Sequence, residues 1–474
     1  MSEWVEDSYP GAVLVDSMAL RRGLFDYSKI GKAVPIDAGI INALSPYQSN
    51  WMNGVEDSTG WNFSFNERRL FYYEILKFWN TVLCNLKPDI FVSYTWPHLP
   101  SDYPLYLLCK YYYSIPVVFI DSVPYLNDYY YTVGTSIEDL SAPFIKQYQS
   151  ALLTDEVPAV TQYLRELRSR EARAPKHIDK YYAAIAYAEI NVKMKRLLRL
   201  LRSLIQGKLF NIADARSWKT SRARWGTSGS LMTNFDEFMF ENRQYRKNTR
   251  LSKIYDEMTT VPDFEKQYVY FAASYQPEAI SNLMPGVYED VFLVIDILSA
   301  ALPEGWEIWY KEHPNTFREK KKGVLRKSED YYKRLSDYEN IRFISTRANP
   351  FDLIDNAKAV ATSGGTVGWE SSVRGVPAMI FGGSWYGKCK SILSVYSLND
   401  AELAVEKIVN GFTPDQDDLE RYAKAIYAMS RKDLLIINYL SEWRGDADRA
   451  ERGMECVADF LVEGYRAHYV IRDN

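Results

Sequence analysis

The sequence lacks three features, each of which would indicate a particular class of protein. Its four cysteines form no Cys-x-x-Cys pair, which argues against a structural zinc site and against a disulfide framework. No apolar run reaches the roughly 18 residues that a transmembrane helix needs. Basic residues are not in excess either, because 57 Lys and Arg face 61 Asp and Glu. This balance excludes a generally basic nucleic-acid-binding protein.

A secretory signal is also missing, since Glu3, Glu6 and Asp7 occupy the region where a signal peptide carries positive charge. We therefore expect a cytoplasmic protein with reduced thiols. Aromatic side chains, in contrast, are abundant, with 37 Tyr and 12 Trp among 474 residues. Many lie before Tyr131, where they suit either a sugar- or base-binding platform or the filling of a core.

The first half of the chain contains a strand, helix and strand pattern. Residues 90–94 read as a buried strand, residues 101–113 as a helix, and residues 117–120 as a second strand that ends at Asp121. Such a unit is expected to be parallel and right-handed, with ligands beyond the carboxyl ends of its strands. It predicts an N-terminal Rossmann-like domain over residues 1–190.

The second half repeats this pattern over residues 251–440 and predicts a second Rossmann-like domain. Short β-branched or aromatic runs alternate there with helical stretches. Two such domains make an α/β protein whose central cleft holds the substrate. Residues 441–474 are expected to form helices that cross back to the N-terminal domain. The predicted strands of the second half cover residues 268–273, 306–311, 341–344, 359–362 and 377–381.

Residues 191–250 form a basic helical linker between the two predicted domains. Within residues 193–224, ten Lys and Arg accompany the single acid Asp214, and apolar residues recur at helical spacing. One interpretation is an amphipathic helix that makes peripheral contact with anionic lipid at the inner face of the membrane. The other is an interdomain helix whose apolar stripe packs on a domain.

The sharpest local motif is Ser363-Gly364-Gly365-Thr366, between a predicted strand and a helix that includes Glu370. Small residues let the backbone approach an anion, and the hydroxyls and the first N–H groups of the helix supply donors. The motif has neither the Lys-Ser/Thr ending of a Walker loop nor the dinucleotide glycine spacing. A tight turn capped by Thr366 would use the same residue types.

A second motif, Lys311-Glu312-His313-Pro314, closes a predicted strand of the same domain. Strand alternation places Lys311 and His313 on one side of the extended backbone, where both can address one ligand. His313 is one of four histidines in the chain. It suits donation to a phosphate oxygen, although a structural role would also explain a histidine before a proline.

Together these motifs resemble bacterial capsule and surface-polysaccharide glycosyltransferases that use CMP-activated ulosonic acids, namely the Kdo transferases and their nonulosonate-using relatives. The resemblance implies the GT-B fold, with two Rossmann-like domains that face a central cleft, the donor bound by the C-terminal one and the acceptor by the N-terminal one. It is carried by Tyr275-Gln276-Pro277-Glu278-Ala279, Lys311-Glu312-His313-Pro314, Ser363 through Glu370, Gly375-Val376-Pro377, Phe381-Gly382 and, more loosely, Pro97-His98-Leu99-Pro100.

The resemblance also implies roles for the matching residues. His313, Ser363 and Thr366 would hold the CMP phosphate on the loop that contains Gly364 and Gly365, and Lys311 would face the cytosine. No metal and no cofactor are expected, because positive groups and a helix N-terminus would offset the charge of the leaving CMP. The Asp-x-Asp pairs at Asp415 and Asp446 read as solvated charge.

Three carboxylates have two interpretations each around the donor. Asp352 would bind ribose hydroxyls, although an acid at the third helical position after Asn349 also stabilises any helix. Glu370 would take the ribose instead or orient the loop from behind. Glu278 would line the cleft near the donor carboxylate or the acceptor.

The catalytic group is expected in the N-terminal domain, as a base for the acceptor hydroxyl or as a nucleophile in a retaining mechanism. Asp121 is the preferred candidate because it follows a strand, although a capping role in the turn to Pro124 would also suit it. Asp102, Glu67 and His98 are its rivals.

The predicted function is transfer of an ulosonic acid, either Kdo or a nonulosonic acid such as pseudaminic, legionaminic or sialic acid, from a CMP donor. The acceptor would be an oligosaccharide or lipid-linked glycan of a growing capsule or lipopolysaccharide, and retention of configuration is favoured. Alternatives are a UDP-hexose or polyol-phosphate transferase of the same fold, a GT-B-like sugar-nucleotide epimerase, and a non-catalytic glycan-binding or assembly protein.

Overall fold

The computed structural model describes residues 11–21, 23–59, 64–125, 128–151, 156–169, 197–198, 200–208, 234–275, 283–318, 327–431 and 447–470. The chain forms two compact units. The first comprises Met1–Phe91, Pro97–Val117 and Lys195–Asn242, and the second comprises Val92–Trp96, Val118–Met194 and Arg243–Asn474. Residues 118–190, which the sequence pattern assigns to the N-terminal domain, thus group with the C-terminal half.

The first unit is helical, and its aromatic side chains fill its core. Trp51, Tyr72 and Tyr106 are each at most 1% exposed. The Trp51 indole N–H donates to the carbonyl of Pro100 at 3.0 Å, so these rings pack inside the unit. The helices are α1 Ser17–Arg21, α2 Ala38–Thr59, α3 Phe65–Leu86 and α4 Tyr103–Leu108, which continues as a π-helical turn, Cys109–Tyr113.

Asp121 lies within a strand of a three-stranded sheet of order β1-β2-β3, and not after the end of a strand as predicted. The strands of this sheet are β1 Phe91–Ser93, β2 Val117–Tyr125 and β3 Asp128–Gly134. The expectation that β2 ends at Asp121 is wrong, because the strand runs on and pairs antiparallel with β3, which places Asp121 opposite Thr132. The cause is the following tyrosine-rich run, whose aromatic and β-branched residues favour a partner strand.

The second unit contains a seven-stranded sheet of order β10-β9-β8-β5-β6-β7-β4 in which every pair is parallel. Without β4 this is the Rossmann order, with β5 as the first strand. The α/β class and the five strands predicted in this half are confirmed. The strands are β4 Thr259–Thr260, β5 Tyr268–Ala272, β6 Glu307–Lys311, β7 Ile341–Ile344, β8 Ala359–Thr362, β9 Ala378–Ile380 and β10 Leu393–Ser394.

The central strands of this sheet are buried on both faces, since all residues of β8 and β9 are buried. The helices that follow α4 in the described part of the chain are α5 Ile145–Ser150, α6 Pro158–Arg168, α7 Asn234–Met258, α8 Val291–Ala301, α9 Asn315–Arg318, α10 Glu329–Ser336, α11 Pro350–Asp355, α12 Val367–Val373, α13 Leu398–Val409, α14 Gln416–Met429 and α15 Ala447–Tyr465. Short 3-10 turns occur at Ala142–Phe144 and Gly286–Glu289, and a π-helical turn at Arg466–Val470.

The C-terminal helix α15 lies against β3. Gly464 approaches Val133 so closely that a β-carbon at this position would overlap its side chain. Arg431, which lies before the helix, pairs with Glu463 at 2.6 Å and bridges to Tyr131 through the backbone. In the part of the chain that the structure describes, no helix is both long and apolar enough to span a bilayer.

Candidate functional site

The candidate site lies at the point of the parallel sheet where the order of strand addition reverses. The chain runs from β5 outward through β6 and β7 and then returns to the other side of β5 with β8. The loops that follow β5 and β8 therefore diverge and leave a crevice at their carboxyl ends, the usual ligand position in open α/β sheets. Ser274 follows β5, His313 follows β6 and Ser363 follows β8. Both sequence motifs thus meet at one edge of the second unit.

The loop after β8 needs glycine because other backbone comes close to it. Gly364 has a φ of +122°, and a β-carbon there would lie 2.6 Å from the carbonyl oxygen of Gly383. The N–H of Gly365 donates to Thr362 Oγ1 at 3.2 Å, and its carbonyl accepts the Tyr386 hydroxyl. The loop is therefore held rigidly. The N–H of Gly365, which the motif suggests for an anion, is already used within the protein.

Glu370 supports this loop from the helix α12. Its carboxylate accepts the Thr366 hydroxyl at 2.9 Å, and the residue is 7% exposed. Burial raises the pKa of Glu370 to about 7, against the opposing effects of the Thr366 hydrogen bond and the Arg374 charge. Arg374 itself forms a bidentate ion pair with Asp355, with Nε to Oδ1 at 2.7 Å and Nη2 to Oδ2 at 2.5 Å. The hydrogen bond between Thr366 and Glu370 is the contact expected if Glu370 orients the loop.

Two buried polar atoms near the motifs have no hydrogen-bond partner among the described residues, and sequence reasoning missed both. They are Ser274 Oγ and Asn315 Oδ1. Ser274 Oγ lies beside the loop, 3.9 Å from the place of a β-carbon on Gly365. A buried polar atom without a partner is costly unless a ligand or water satisfies it. The signal for Ser274 was its place directly after a strand.

His313 presents a defined nitrogen. Its Nδ1 accepts the N–H of Asn315 at 3.2 Å, so in this tautomer the ring proton is on Nε2. The ring centroid lies 5.6 Å from that of Tyr275, the residue after Ser274. The imidazole therefore lies near the ends of β5 and β6 and carries its ring proton on Nε2, and its contact with a phosphate stays a prediction.

Lys311 is a buried cation at the end of β6, only 5% exposed. Burial lowers its pKa to about 8, although the neighbouring Glu312 charge acts in the opposite direction. A buried ammonium group of this kind is costly without an anion and is therefore suited to meet one. The ligand contact expected of Lys311 stays a prediction.

Glu312, between these two residues, anchors the motif instead of facing a ligand. The side chain is fully buried and pairs with Lys327 at 2.5 Å. The Tyr310 and Tyr332 hydroxyls donate to Oε1 at 2.7 and 3.1 Å, and Thr316 donates to Oε2 at 3.1 Å. Sequence reasoning missed this network, because Lys327 and Tyr332 lie 15 and 20 residues after Glu312 and reach it only in the folded chain.

Two predicted donor-site residues are not brought into this cluster by any described contact. Asp352 is exposed in the first turn of α11, where Asn349 caps the helix by accepting the Phe351 N–H at 2.9 Å. The helix-stabilising interpretation accounts for it. Glu278 lies outside the described residues. Asp415, from one Asp-x-Asp pair, caps α14 by accepting the Asp417 and Asp418 N–H groups.

The catalytic candidates have different surroundings. Asp102 Oδ1 accepts the Leu99 N–H at 2.7 Å beside the half-buried His98. Glu67 belongs to a capping box, since it accepts the Ser64 N–H at 2.8 Å. Asp121 is 4% exposed within β2. Asp102 and Glu67 thus have structural contacts that explain their presence, and Asp121 belongs to the same compact unit as the candidate site.

No protein-family model and no curated protein matches the chain. Among solved structures it is similar to the Thermosulfurimonas dismutans KpsC beta Kdo 2,4 transferase, with 15% identity, 39% of this chain and 54% of that chain covered, and a TM-score of 0.24. The chain thus spans about half the length of that structure. It is also similar to the UDP-GlcNAc 2-epimerase from Methanocaldococcus jannaschii, with 15% identity, 78% and 84% coverage and a TM-score of 0.24.

A third similar structure is the glycotransferase of kitacinnamycin, with 12% identity, 78% of this chain and 81% of that chain covered, and a TM-score of 0.23. The function therefore has to be inferred from the site itself.

Proposed function

We propose that the chain is a GT-B glycosyltransferase that transfers an ulosonic acid from a CMP donor to a growing capsule or lipopolysaccharide glycan. One observation carries the proposal: buried or half-buried polar groups from three strand ends, Ser274, His313 and Ser363, gather at the switch point of a Rossmann-ordered sheet. Nucleotides bind at this position in such sheets. The motif resemblance supports the choice of a CMP-ulosonate donor.

The proposed chemistry follows from the charge of the leaving group. When the glycosidic bond of the donor breaks, negative charge collects on the CMP phosphate. The Nε2–H of His313 and the buried Lys311 ammonium group, which the resemblance places against the cytosine, would offset that charge. The reaction therefore needs no metal in this proposal. Glu278 and Asp352 remain proposed contacts of the donor or the acceptor. The proposed acceptor is an oligosaccharide or a lipid-linked glycan.

For the catalytic group we retain Asp121, with Asp102 and His98 as alternatives. Asp121 is a buried carboxylate of β2, and the Asp102 carboxylate accepts the Leu99 N–H at 2.7 Å. Because Asp121 belongs to the same compact unit as the candidate site, an Asp121→Asn variant needs a measurement of CMP binding beside activity. Lost transfer with intact CMP binding supports Asp121, and near-normal transfer moves the role to Asp102 or His98.

The test of the proposed function has two steps. Calorimetry with CMP, CDP, UDP and UMP establishes the nucleotide, and preference for uridine nucleotides would overturn the donor assignment. Incubation with CMP-Kdo, CMP-sialic, CMP-legionaminic and CMP-pseudaminic acids and oligosaccharide acceptors, followed by mass spectrometry, then tests transfer. Conversion of the donor without an acceptor would indicate an epimerase. Absence of CMP release with every pair would indicate a glycan-binding protein.

Replacing His313 with alanine is expected to weaken CMP binding by about tenfold to a hundredfold. A charge-assisted hydrogen bond to phosphate contributes about 1.5–3 kcal/mol, which corresponds to that range. Calorimetric titration measures the change. His313→Gln keeps a side-chain N–H donor and should recover part of the affinity. His468→Ala, in the C-terminal turn, is the control, and equal affinities for both alanine variants would remove His313 from the site.

We further propose that the basic helical segment contacts an anionic membrane surface. Residues 193–208 contain six Lys and Arg and no acid. The described part is helical at residues 197–198 and 200–205. Its apolar residues are open to solvent, with Leu201 42%, Leu204 57% and Ile205 84% exposed. Exposed apolar residues beside a strongly basic sequence fit the surface of an anionic bilayer, which favours the lipid interpretation over packing on a domain.

Substitution of Leu201, Leu204 and Ile205 by serine is expected to reduce partitioning onto vesicles that contain phosphatidylglycerol by about a hundredfold. Each side chain contributes about 1 kcal/mol if it is half buried in the interface. Vesicle co-sedimentation measures the loss. The control replaces three equally exposed residues, Val261, Val287 and Val409, by serine. Unchanged partitioning of the first variant would favour packing of this helix against protein.

A further inference from the structure

The hydroxyl of Thr366 cannot serve a phosphate in the arrangement that the structure shows. A hydroxyl group has one proton, and the Thr366 proton is donated to the Glu370 carboxylate at 2.9 Å. As long as Glu370 is ionised, the Thr366 oxygen can only accept hydrogen bonds. Phosphate oxygens at neutral pH are acceptors as well, so the two groups would repel each other. The role that the motif suggests for Thr366 therefore requires a change at Glu370.

A protonated Glu370 supplies that change. Its O–H would donate to Thr366 Oγ1, and the threonine proton would then turn towards the loop. We propose that binding of the nucleotide phosphate is coupled to the uptake of one proton by Glu370, which converts Thr366 from an acceptor into a donor. The proton comes from solvent, and no other bond is made or broken. This inference rests on the proposed function, because it assumes that a phosphate occupies the loop.

The surroundings of Glu370 make its protonation accessible near neutral pH. Arg374, the nearby cation on the same helix, is engaged by both oxygens of Asp355, so its charge is largely balanced there. Tyr163 from α6 and Tyr386 from the loop after β9 also face Glu370, and burial together with the Glu370 charge raises the pKa of both phenols. They stay neutral. Burial of Glu370 therefore outweighs the Thr366 hydrogen bond and the Arg374 charge, which both favour its ionised form.

The direction of the pH dependence follows from linkage. Burial already raises the pKa of Glu370 to about 7 in the free protein, and a bound phosphate anion would raise it further. Affinity for a phosphate of fixed charge is then highest below about pH 7, where Glu370 is protonated beforehand. Above that pH, each pH unit should lower the affinity by up to about tenfold, until the pKa of the complex is reached.

The test is calorimetry with the methyl ester of CMP, a phosphodiester whose charge is constant across this pH range. Titrations at about pH 8 in HEPES and in Tris, whose ionisation enthalpies differ, give the number of protons taken up. The wild-type protein should take up a substantial fraction of one proton. In Glu370→Gln the carboxamide donates permanently to Thr366, so the part of the uptake that belongs to Glu370 should vanish, and the affinity at this pH should equal or exceed that of the wild type.

The other titrating groups proposed for the site, His313 and Lys311, are separated by two further variants. Uptake that persists in His313→Gln and in Lys311→Met but falls in Glu370→Gln belongs to Glu370. Binding with unchanged proton uptake in Glu370→Gln overturns the coupling and leaves the phosphate site intact. Binding without any uptake in the wild type does the same. If the wild-type protein does not bind the ester in either buffer, the phosphate site and the coupling are both overturned.

Discussion

Replacing Lys327 with methionine is expected to lower the free energy of unfolding by about 3–5 kcal/mol, because removing one partner leaves a buried charge uncompensated. Lys327 is 3% exposed and lies 2.5 Å from Glu312, which is fully buried. Methionine preserves the length of the side chain, so loss of packing contributes little. Denaturant-induced unfolding at equilibrium measures the difference.

The matched control for this variant is Lys333→Met on the following helix. Lys333 pairs with Glu329 at 3.0 Å, but its side chain is 63% exposed, and such a pair contributes only about 0.3–0.5 kcal/mol. Adding Glu312→Gln to Lys327→Met removes the unpaired charge and should restore part of the stability. If Lys327→Met costs no more than Lys333→Met, Glu312 does not depend on this partner, and its three hydroxyl donors suffice.

Replacing Gly364 with alanine is expected to abolish detectable CMP binding and to destabilise the protein by about 2–4 kcal/mol, the sum of a forbidden backbone conformation and a steric overlap. Gly364 has a φ of +122°, and the new methyl group would lie 2.6 Å from the Gly383 carbonyl oxygen. The Gly383 carbonyl belongs to the backbone and cannot move aside as the end of a flexible side chain can. The loop would have to move, and Ser363 and Thr366 would move with it.

A Gly375→Ala variant separates the cost of the backbone conformation from the cost of the steric overlap. Gly375 has a φ of +88°, but a β-carbon there would meet no atom within 4 Å, so this variant has only the conformational cost of about 1–2 kcal/mol. It should keep normal CMP affinity. Calorimetry and thermal unfolding of both variants provide the comparison. Intact CMP binding in Gly364→Ala would show that the loop does not take part in nucleotide recognition.

The elements of the second unit could be predicted because their signals are local. Strands that are buried on both faces appear as short apolar runs, and helices between them have their own periodicity and caps. The five strands predicted from residues 268–381 are present for this reason. The loop Ser363-Gly364-Gly365-Thr366 and the His-Pro pair were recognised because each is a short motif directly after a strand.

The expectation for Asp121 was wrong for a nonlocal reason. The run that ended the predicted strand continues as β2 because β3 supplies it with hydrogen bonds, and only the pairing of the two strands reveals this. The division of the chain is nonlocal too, since residues 118–190 belong with the C-terminal half through their contacts. The sequence order contains no information about which distant segments bury each other.

Within the site, residue types were determined by the sequence and their tasks by the tertiary structure. Local periodicity and motif spacing were enough to select His313, Ser363, Thr366 and Glu370. The structure alone shows that Glu312 faces Lys327 and that Ser274 lies beside Gly365. A hydrogen bond or an ion pair depends on the positions of two atoms in space, and for residues on different strands those positions are set by the order and register of the sheet.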